Sequence, residues 1–218
     1  MKYYTNVQMV GNDFLVRGYE NGKSFTSRES FQPTMFVPSK KKTKYKTLGG
    51  KYVQSIQPGT VRETREFIRN HESVENFEIY GNNRYIYQYI SERYPENEIK
   101  FDLKKMNLVT IDIEVKSEGG FPTVEKCDEE MLLISLQDYN TKRILTFGVG
   151  SYRTQDKMVK YVQCNNEHDL LTHFLNYWSH SPPEVVTGWN CQLYDIPYLA
   201  KRITRVLGEK ASKKLSPW

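Results

Sequence analysis

Within the apolar run MNLVTIDIEV, residues 106–115, stand two carboxylates one residue apart, Asp112 and Glu114. The composition of the run predicts a strand over 107–115, and in a strand residues i and i+2 share a face. Two acids side by side repel and raise one another's pKa unless a cation lies between them. Hard oxygen donors on a rigid strand suit Mg²⁺ or Mn²⁺. A third acid, Asp195, lies in VVTGWNCQLYDIPYLAKR at a loop–helix junction just beyond a short apolar strand. Ligands gather outside the carboxyl ends of strands, so this acid could return to the first pair. A first-turn acid favoured by the helix macrodipole would account for it equally, with no metal.

The elements that must hold these residues alternate beyond residue 107. Strands are predicted over 131–138, 143–149 and 158–163. NNEHDLLTHFLNYWSH reads as an amphipathic helix with Leu170, Leu171, Phe174, Leu175 and Trp178 on one face and Asn165 or Asn166 as cap. PEVVTGW reads as a short buried strand, and YDIPYLAKRITRVLGEK as a helix with Pro197 in its first turn and Gly208 just past its end. Strands first, then helix, strand and helix, imply a mixed sheet with helices packed on it. The first half reads mainly as β, with a turn at Gly11-Asn12 and a hairpin at Asn21-Gly22. Its one predicted helix is GTVRETREFIRN, where Thr60 and Glu63 have capping-box spacing. NRYIYQYISERYP alternates with period two, which predicts a strand with Tyr85, Tyr87 and Tyr89 on one side. Alternating Tyr and Ile of this kind marks a half-buried core strand more readily than a stacking platform. A domain boundary at 102–107 fits the change of pattern, giving domains 1–106 and 107–218.

The 218 residues carry a net charge of +5, and 38% are hydrophobic, a globular composition. The basic excess is confined to one side of the boundary: residues 1–106 balance at +6 and residues 107–218 at −1. Such asymmetry suggests that the first half meets a polyanion. No apolar run approaches the ~20 residues that span a bilayer, and the N-terminus lacks the apolar core of a secretory signal. Cys127, Cys164 and Cys191 are odd in number and scattered, which suits free thiols in a reducing compartment.

TIDIEV together with TGWNCQLYDIPYL resembles the first two exonuclease motifs of family B DNA polymerases, and PTMF and LGEKASKKLSP are similar to the replicative polymerases of T4-like bacteriophages. The resemblance runs the length of the chain, diffuse in the basic half and sharp around Asp112, Glu114, Asn190, Tyr194 and Asp195. It implies an α/β chain, α+β overall: a mainly-β N-terminal domain with a helix, then a partial ribonuclease-H-like 3′–5′ exonuclease domain. It implies that Asp112, Glu114 and Asp195 are catalytic and hold a two-metal Mg²⁺ or Mn²⁺ site. Asn190 and Tyr194 would bind substrate, and Phe121 in GGFPTVEK would stack on bases at a frayed primer end. The alternative for Phe121 is a loop anchor. The family's third motif, Tyr-x-x-x-Asp, and its palm, fingers and thumb have no counterpart here. The chain then reads as a fragment or as one product of a split polymerase gene, completed by a second chain and nearly inactive alone. Its place would be the cytoplasm of the infected bacterium.

Lys40, Lys41, Lys42, Lys44 and Lys46, with Tyr45 among them, could grip phosphates of template DNA or, as the resemblance implies, of RNA. A solvated loop is the plain alternative. His168 and His173, five apart on a helix, diverge too far to share a metal. Two further functions compete with the polymerase reading: a nucleic-acid-binding regulator whose nuclease remnant is scaffold only, and a stand-alone nuclease, which the missing third acid disfavours.

Overall fold

In the computed structural model, which describes residues 2–95 and 99–218, the chain divides into two units, Met1–Phe101 and Asp102–Trp218. The first opens with an antiparallel meander, β1 (Lys2–Val10), β2 (Asp13–Glu20) and β3 (Lys23–Ser30). Its turns are the expected ones: Gly11 has φ 64°, and Asn21 and Gly22 have φ 52° and 80°, the mirror-image turn that matches strand twist. A second sheet has the order β4 (Met35–Pro38), β6 (Tyr52–Ile56), β5 (Tyr45–Lys46). Helix α1 (Val61–His71) starts at the predicted capping box, with Thr60 Oγ1 accepting from the Glu63 amide and Glu63 accepting from the Thr60 amide.

The Tyr-rich segment is not a strand. Residues Tyr85–Arg93 form helix α2, so among the described residues this unit has two α-helices where the sequence predicts one. Tyr85 and Tyr89, four apart, enter the core together at 2% and 0% exposure, while Tyr87 stands 56% exposed. A strand would have buried all three on one face or none. Tertiary contacts decide against the local alternation: Tyr89 stacks on Phe14 at 4.9 Å and meets Phe31 edge-on, and the Gln88 side chain satisfies both the amide and the carbonyl of Thr34.

Tyr89 also donates to Glu29 at 2.7 Å. Burial alone would raise the Glu29 carboxyl, but the hydroxyls of Tyr89 and Ser27 outweigh it and hold the group below its ordinary value. A carboxylate depressed on folding stabilises above the unfolded pKa and loses that contribution as pH falls through the folded one. Tyr89→Phe is therefore expected to cost about 1 kcal/mol at neutral pH and to flatten the acid sensitivity of this unit. Hydrogen exchange of peptides from residues 13–30 between pH 3 and 7 measures both.

The second unit is built on one five-stranded sheet in the order β10 (Val159–Cys164), β9 (Ile144–Val149), β8 (Met131–Asp138), β7 (Leu108–Val115), β11 (Val185–Thr187). The two edge pairs are parallel and the inner pairs antiparallel, a mixed sheet as expected. β11 is an edge strand of three residues, half-buried rather than fully buried. Helix α3 (Glu167–His180) starts at Asn166, whose side chain caps the Asp169 amide, and buries the five apolar residues expected of it. Helix α4 (Asp195–Leu207) ends at Gly208, where φ is 89°, and a short helix α5 (Glu209–Ser212) follows. The core joins Ile111 and Ile113 of β7, Ile134 and Leu136 of β8 and Phe147 of β9 to Leu170 and Phe174 of α3 and Tyr198, Leu199 and Ile203 of α4.

Candidate active site

The alternation along β7 answers the question its two acids raise. Ile111 and Ile113 point into the core at 1% and 6% exposure, so Asp112 and Glu114 project from the other face into solvent. Neither acid is buried, and neither carries the desolvation cost of a charge in the core.

β11 pairs with β7 only from Leu108 to Thr110, which leaves the outer edge of β7 open from Ile111 onward. The chain leaves the sheet at Gly188, so close to β7 that a Cβ there would lie 2.5 Å from the Ile111 carbonyl oxygen. Only glycine permits that approach. Seven residues later the chain enters α4, whose first residue is Asp195. Its carboxylate crosses to the open edge and accepts the Ile113 amide at 3.2 Å, the amide that separates Asp112 from Glu114 in the chain. Asp195 is thus both a first-turn acid and a partner of β7.

Asp195 is 5% exposed. Burial raises its carboxyl pKa and the charge of Asp112 adds to the rise, while its own amide and that of Ile113 oppose it. Tyr194 is raised first by burial and then by Asp195, Cys127 and Glu114, so its hydroxyl stays protonated and able to donate. Asp112 thus lies near enough for its charge to act on Asp195, and Asp195 and Glu114 both lie near enough to act on Tyr194.

Phe121 is 79% exposed, and its ring lies 5.2 Å from that of Tyr194. Asn190 adopts a left-handed φ of 56°, and its carbonyl accepts the amides of Leu193 and Tyr194 to begin the turn into α4. Two apolar residues near Asn190 are unexpected on its surface: Trp189, the end of the predicted buried strand PEVVTGW, lies beyond β11 and is 95% exposed, and Leu193 is 74% exposed on the same loop. The signal was available, since a loop has no packing reason to hold Trp and Leu. The five lysines at 40, 41, 42, 44 and 46 lie in the first unit and are all exposed. His173 pairs with Asp169 at 3.2 Å on α3, and not with His168.

Among the described residues, no group of three or more His, Cys, Asp or Glu stands close enough to form a metal cage by itself. The donor chemistry nevertheless suits a hard divalent ion. Mg²⁺ is ordinarily held by one or two carboxylates with water and substrate phosphate completing the shell, and two solvent-facing carboxylates beside a third fit that pattern.

The exonuclease domain model of DNA polymerase family B matches residues 61–216, beginning within the first unit at α1. The chain is 29% identical over 242 residues to a DNA-directed DNA polymerase of Enterobacteria phage T4, covering 99% of this chain and 27% of the relative. It is 28% identical over 245 residues to that of Escherichia phage RB69, with the same coverage. A DNA polymerase catalytic subunit of Equine herpesvirus 2 is 30% identical over 105 residues, 46% of this chain and 10% of the relative. The chain thus spans about a quarter of the length of the phage relatives it matches. Its five-stranded mixed sheet with packed helices is a partial ribonuclease-H-like fold. The chain belongs to the exonuclease-domain family of the family B DNA polymerases, and it is similar to the T4-like phage members over nearly its whole length.

Proposed function

We propose that this chain supplies the first carboxylates of a metal-dependent 3′–5′ exonuclease that proofreads for a phage DNA-directed DNA polymerase in the cytoplasm of the infected host. The observation that carries the reading is the reach of Asp195 to the Ile113 amide, which places it at the strand bearing Asp112 and Glu114. Residues 1–106 serve as the polymerase N-terminal domain, and residues from 107 as the opening part of the exonuclease.

Asp112 and Glu114, with Asp195 directly or through water, would hold Mg²⁺ or Mn²⁺. Such ions offset the charge of the phosphodiester and ease deprotonation of the attacking water. The remaining work belongs to side chains. The Tyr194 hydroxyl donates toward the scissile phosphate or the water, and the Ile113 amide fixes Asp195 in orientation. Phe121, Trp189 and Leu193 offer apolar surface to unpaired bases, so a frayed 3′ end reaches the acids at lower cost than a paired one.

Mn²⁺ binding to the chain, followed by electron paramagnetic resonance, tests the ligand assignment. Asp112→Asn and Glu114→Gln each remove one exposed negative charge and are expected to weaken binding about tenfold. Binding that neither substitution weakens would count against the site.

A further inference from the structure

β7 and β8 are antiparallel neighbours that a hairpin of about two to five residues could join. The chain instead places the fifteen residues 116–130 between them, with neither helix nor strand among them. A loop of that length must find partners for its backbone polar groups. They lie along one stripe of α4, at positions 198, 201, 202 and 205, which follow one another at helical spacing. Lys201 Nζ donates to the Val124 carbonyl at 3.1 Å, and Arg205 Nη1 to those of Lys126 at 3.4 Å and Cys127 at 3.0 Å. Arg202 Nη1 shares the Cys127 carbonyl and also donates to that of Asp128, while the Tyr198 hydroxyl donates to the Glu129 carbonyl. Tyr194 and Asp195 stand one turn before Tyr198 at the start of the same helix.

Cys127 is the fixed point of the loop. Its φ is 46°, a left-handed backbone that a residue other than glycine keeps only where its surroundings over-determine it. Its side chain lies in the core, and two guanidinium groups occupy its carbonyl oxygen. Ahead of this stem Pro122 is buried and Phe121 exposed, so the loop passes from core to solvent between adjacent residues. The tip is closed by bonds of its own: the Ser117 hydroxyl donates to the Gly120 carbonyl at 2.6 Å, and Lys116 pairs with Glu118 at 2.7 Å. Its one ring, Phe121, reaches out to Tyr194. The offset of Phe121 from Tyr194 is therefore set where the stem is fastened to α4. Arg202 is buried and held by Glu167 as well, but Lys201 and Arg205 are exposed. An exposed cation on a helix ordinarily faces water or an acid one turn away. These two reach main-chain carbonyls 77 and 78 residues upstream.

We propose that Lys201 and Arg205 are positioning residues for base capture: they fasten the loop stem to α4 and so hold Phe121 against Tyr194, on the helix that begins with Asp195. Neither touches the substrate, and neither serves the metal. What Phe121 does there rests on the exonuclease reading, whereas what holds it rests on the geometry of the stem.

In a polymerase carrying these residues, Lys201→Met together with Arg205→Met is expected to raise the KM for trimming a 5′-labelled single strand about threefold to tenfold and to leave kcat unchanged, the mark of lost binding that ground and transition states share. Mn²⁺ binding, followed by electron paramagnetic resonance, should stay as it is. Arg205→Lys should keep part of the affinity, because an ammonium still reaches one carbonyl without spanning two. On a Phe121→Ala background the two methionines should add nothing, because all three changes act through the same ring. A fall in kcat or in Mn²⁺ binding, or effects that multiply on that background, would overturn the proposal. Hydrogen exchange of peptides from residues 116–130 reads the fastening without any nuclease activity. The Lys126 and Cys127 amides, which bond back to Thr123, should exchange about tenfold faster in the double variant, and those of β8 no faster. Unchanged exchange would overturn the proposal as well. Trimming that survives Asp112→Ala would be the separate failure of the exonuclease reading, and would take the base-capture role with it.

Discussion

Arg202→Met is expected to destabilise the second unit by about 3–5 kcal/mol, because it leaves a buried carboxylate without its cation. Arg202 and Glu167 have side chains only 8% and 10% exposed, and they meet as a fork, Nε to Oε1 at 2.5 Å and Nη2 to Oε2 at 2.7 Å. The two Nη1 donors go to the carbonyls of Cys127 and Asp128, and Glu167 Oε1 also accepts the Met131 amide where β8 begins. The pair thus ties the first turn of α3, the middle of α4 and the start of β8 at one point. The hydrogen bond to Glu167 raises the Arg202 pKa further, so the charge stays at any practical pH. Arg202→Lys keeps charge but loses the planar fork, and should retain part of the stability. Arg202→Met with Glu167→Gln should recover much of the loss, since the amide oxygen still serves Met131 and no net charge remains buried. All three tryptophans, Trp178, Trp189 and Trp218, lie in this unit, so tryptophan fluorescence during urea unfolding reads it alone. A loss below about 1 kcal/mol for Arg202→Met would show that the site relaxes to admit water.

The same pair marks where reading the sequence stops. Glu167 and Arg202 are 35 residues apart, and each falls on the buried stripe of its helix, Glu167 three and four residues before Leu170 and Leu171, Arg202 four and three after Tyr198 and Leu199. Nothing local says that they meet. The strands and helices of this unit were legible because their apolar residues recur at the proper period and because Asn166, Pro197 and Gly208 punctuate them. Tyr85–Arg93 failed for the opposite reason: six residues of alternating Tyr and Ile satisfy a strand period while also placing Tyr85 and Tyr89 on one helical face. The choice between them belongs to Phe14 and Phe31, which lie far away in sequence. At the candidate site the sequence supplied the acids and left Asp195 with two readings. Geometry joins the two, because the first-turn position is what lets the carboxylate reach the Ile113 amide. PEVVTGW reads as a buried strand through Trp189 because an apolar residue beside two valines continues their run, whereas the structure ends β11 at Thr187 and leaves Trp189 exposed.

On the proposed exonuclease function, Asp112→Ala in a polymerase carrying these residues is expected to slow removal of 3′-terminal nucleotides by roughly a thousandfold, equivalent to about 4 kcal/mol of transition-state stabilisation. Asp112 is exposed on β7 with Ile111 and Ile113 anchoring the strand beneath it, so the substitution removes a charge and leaves the fold. Shortening of a 5′-labelled oligonucleotide in Mg²⁺ or Mn²⁺ measures the rate, and nucleotide incorporation by the same preparation should be unchanged. Phe121→Ala separates chemistry from capture. Its ring is 79% exposed and touches Tyr194, so its loss should spare the metal site and act on the bases instead. Seating a frayed end against an aromatic surface offsets part of the cost of unpairing, which is a few kcal/mol for a matched terminus and less for a mismatched one. Matched ends depend most on that offset, so Phe121→Ala should slow their removal more than that of mismatched ends and raise the mismatch preference. Loss of the same size on both would make Phe121 an anchor of its loop, as the plainer reading of GGFPTVEK has it. Trimming that survives Asp112→Ala undiminished would remove the carboxylate from the chemistry altogether.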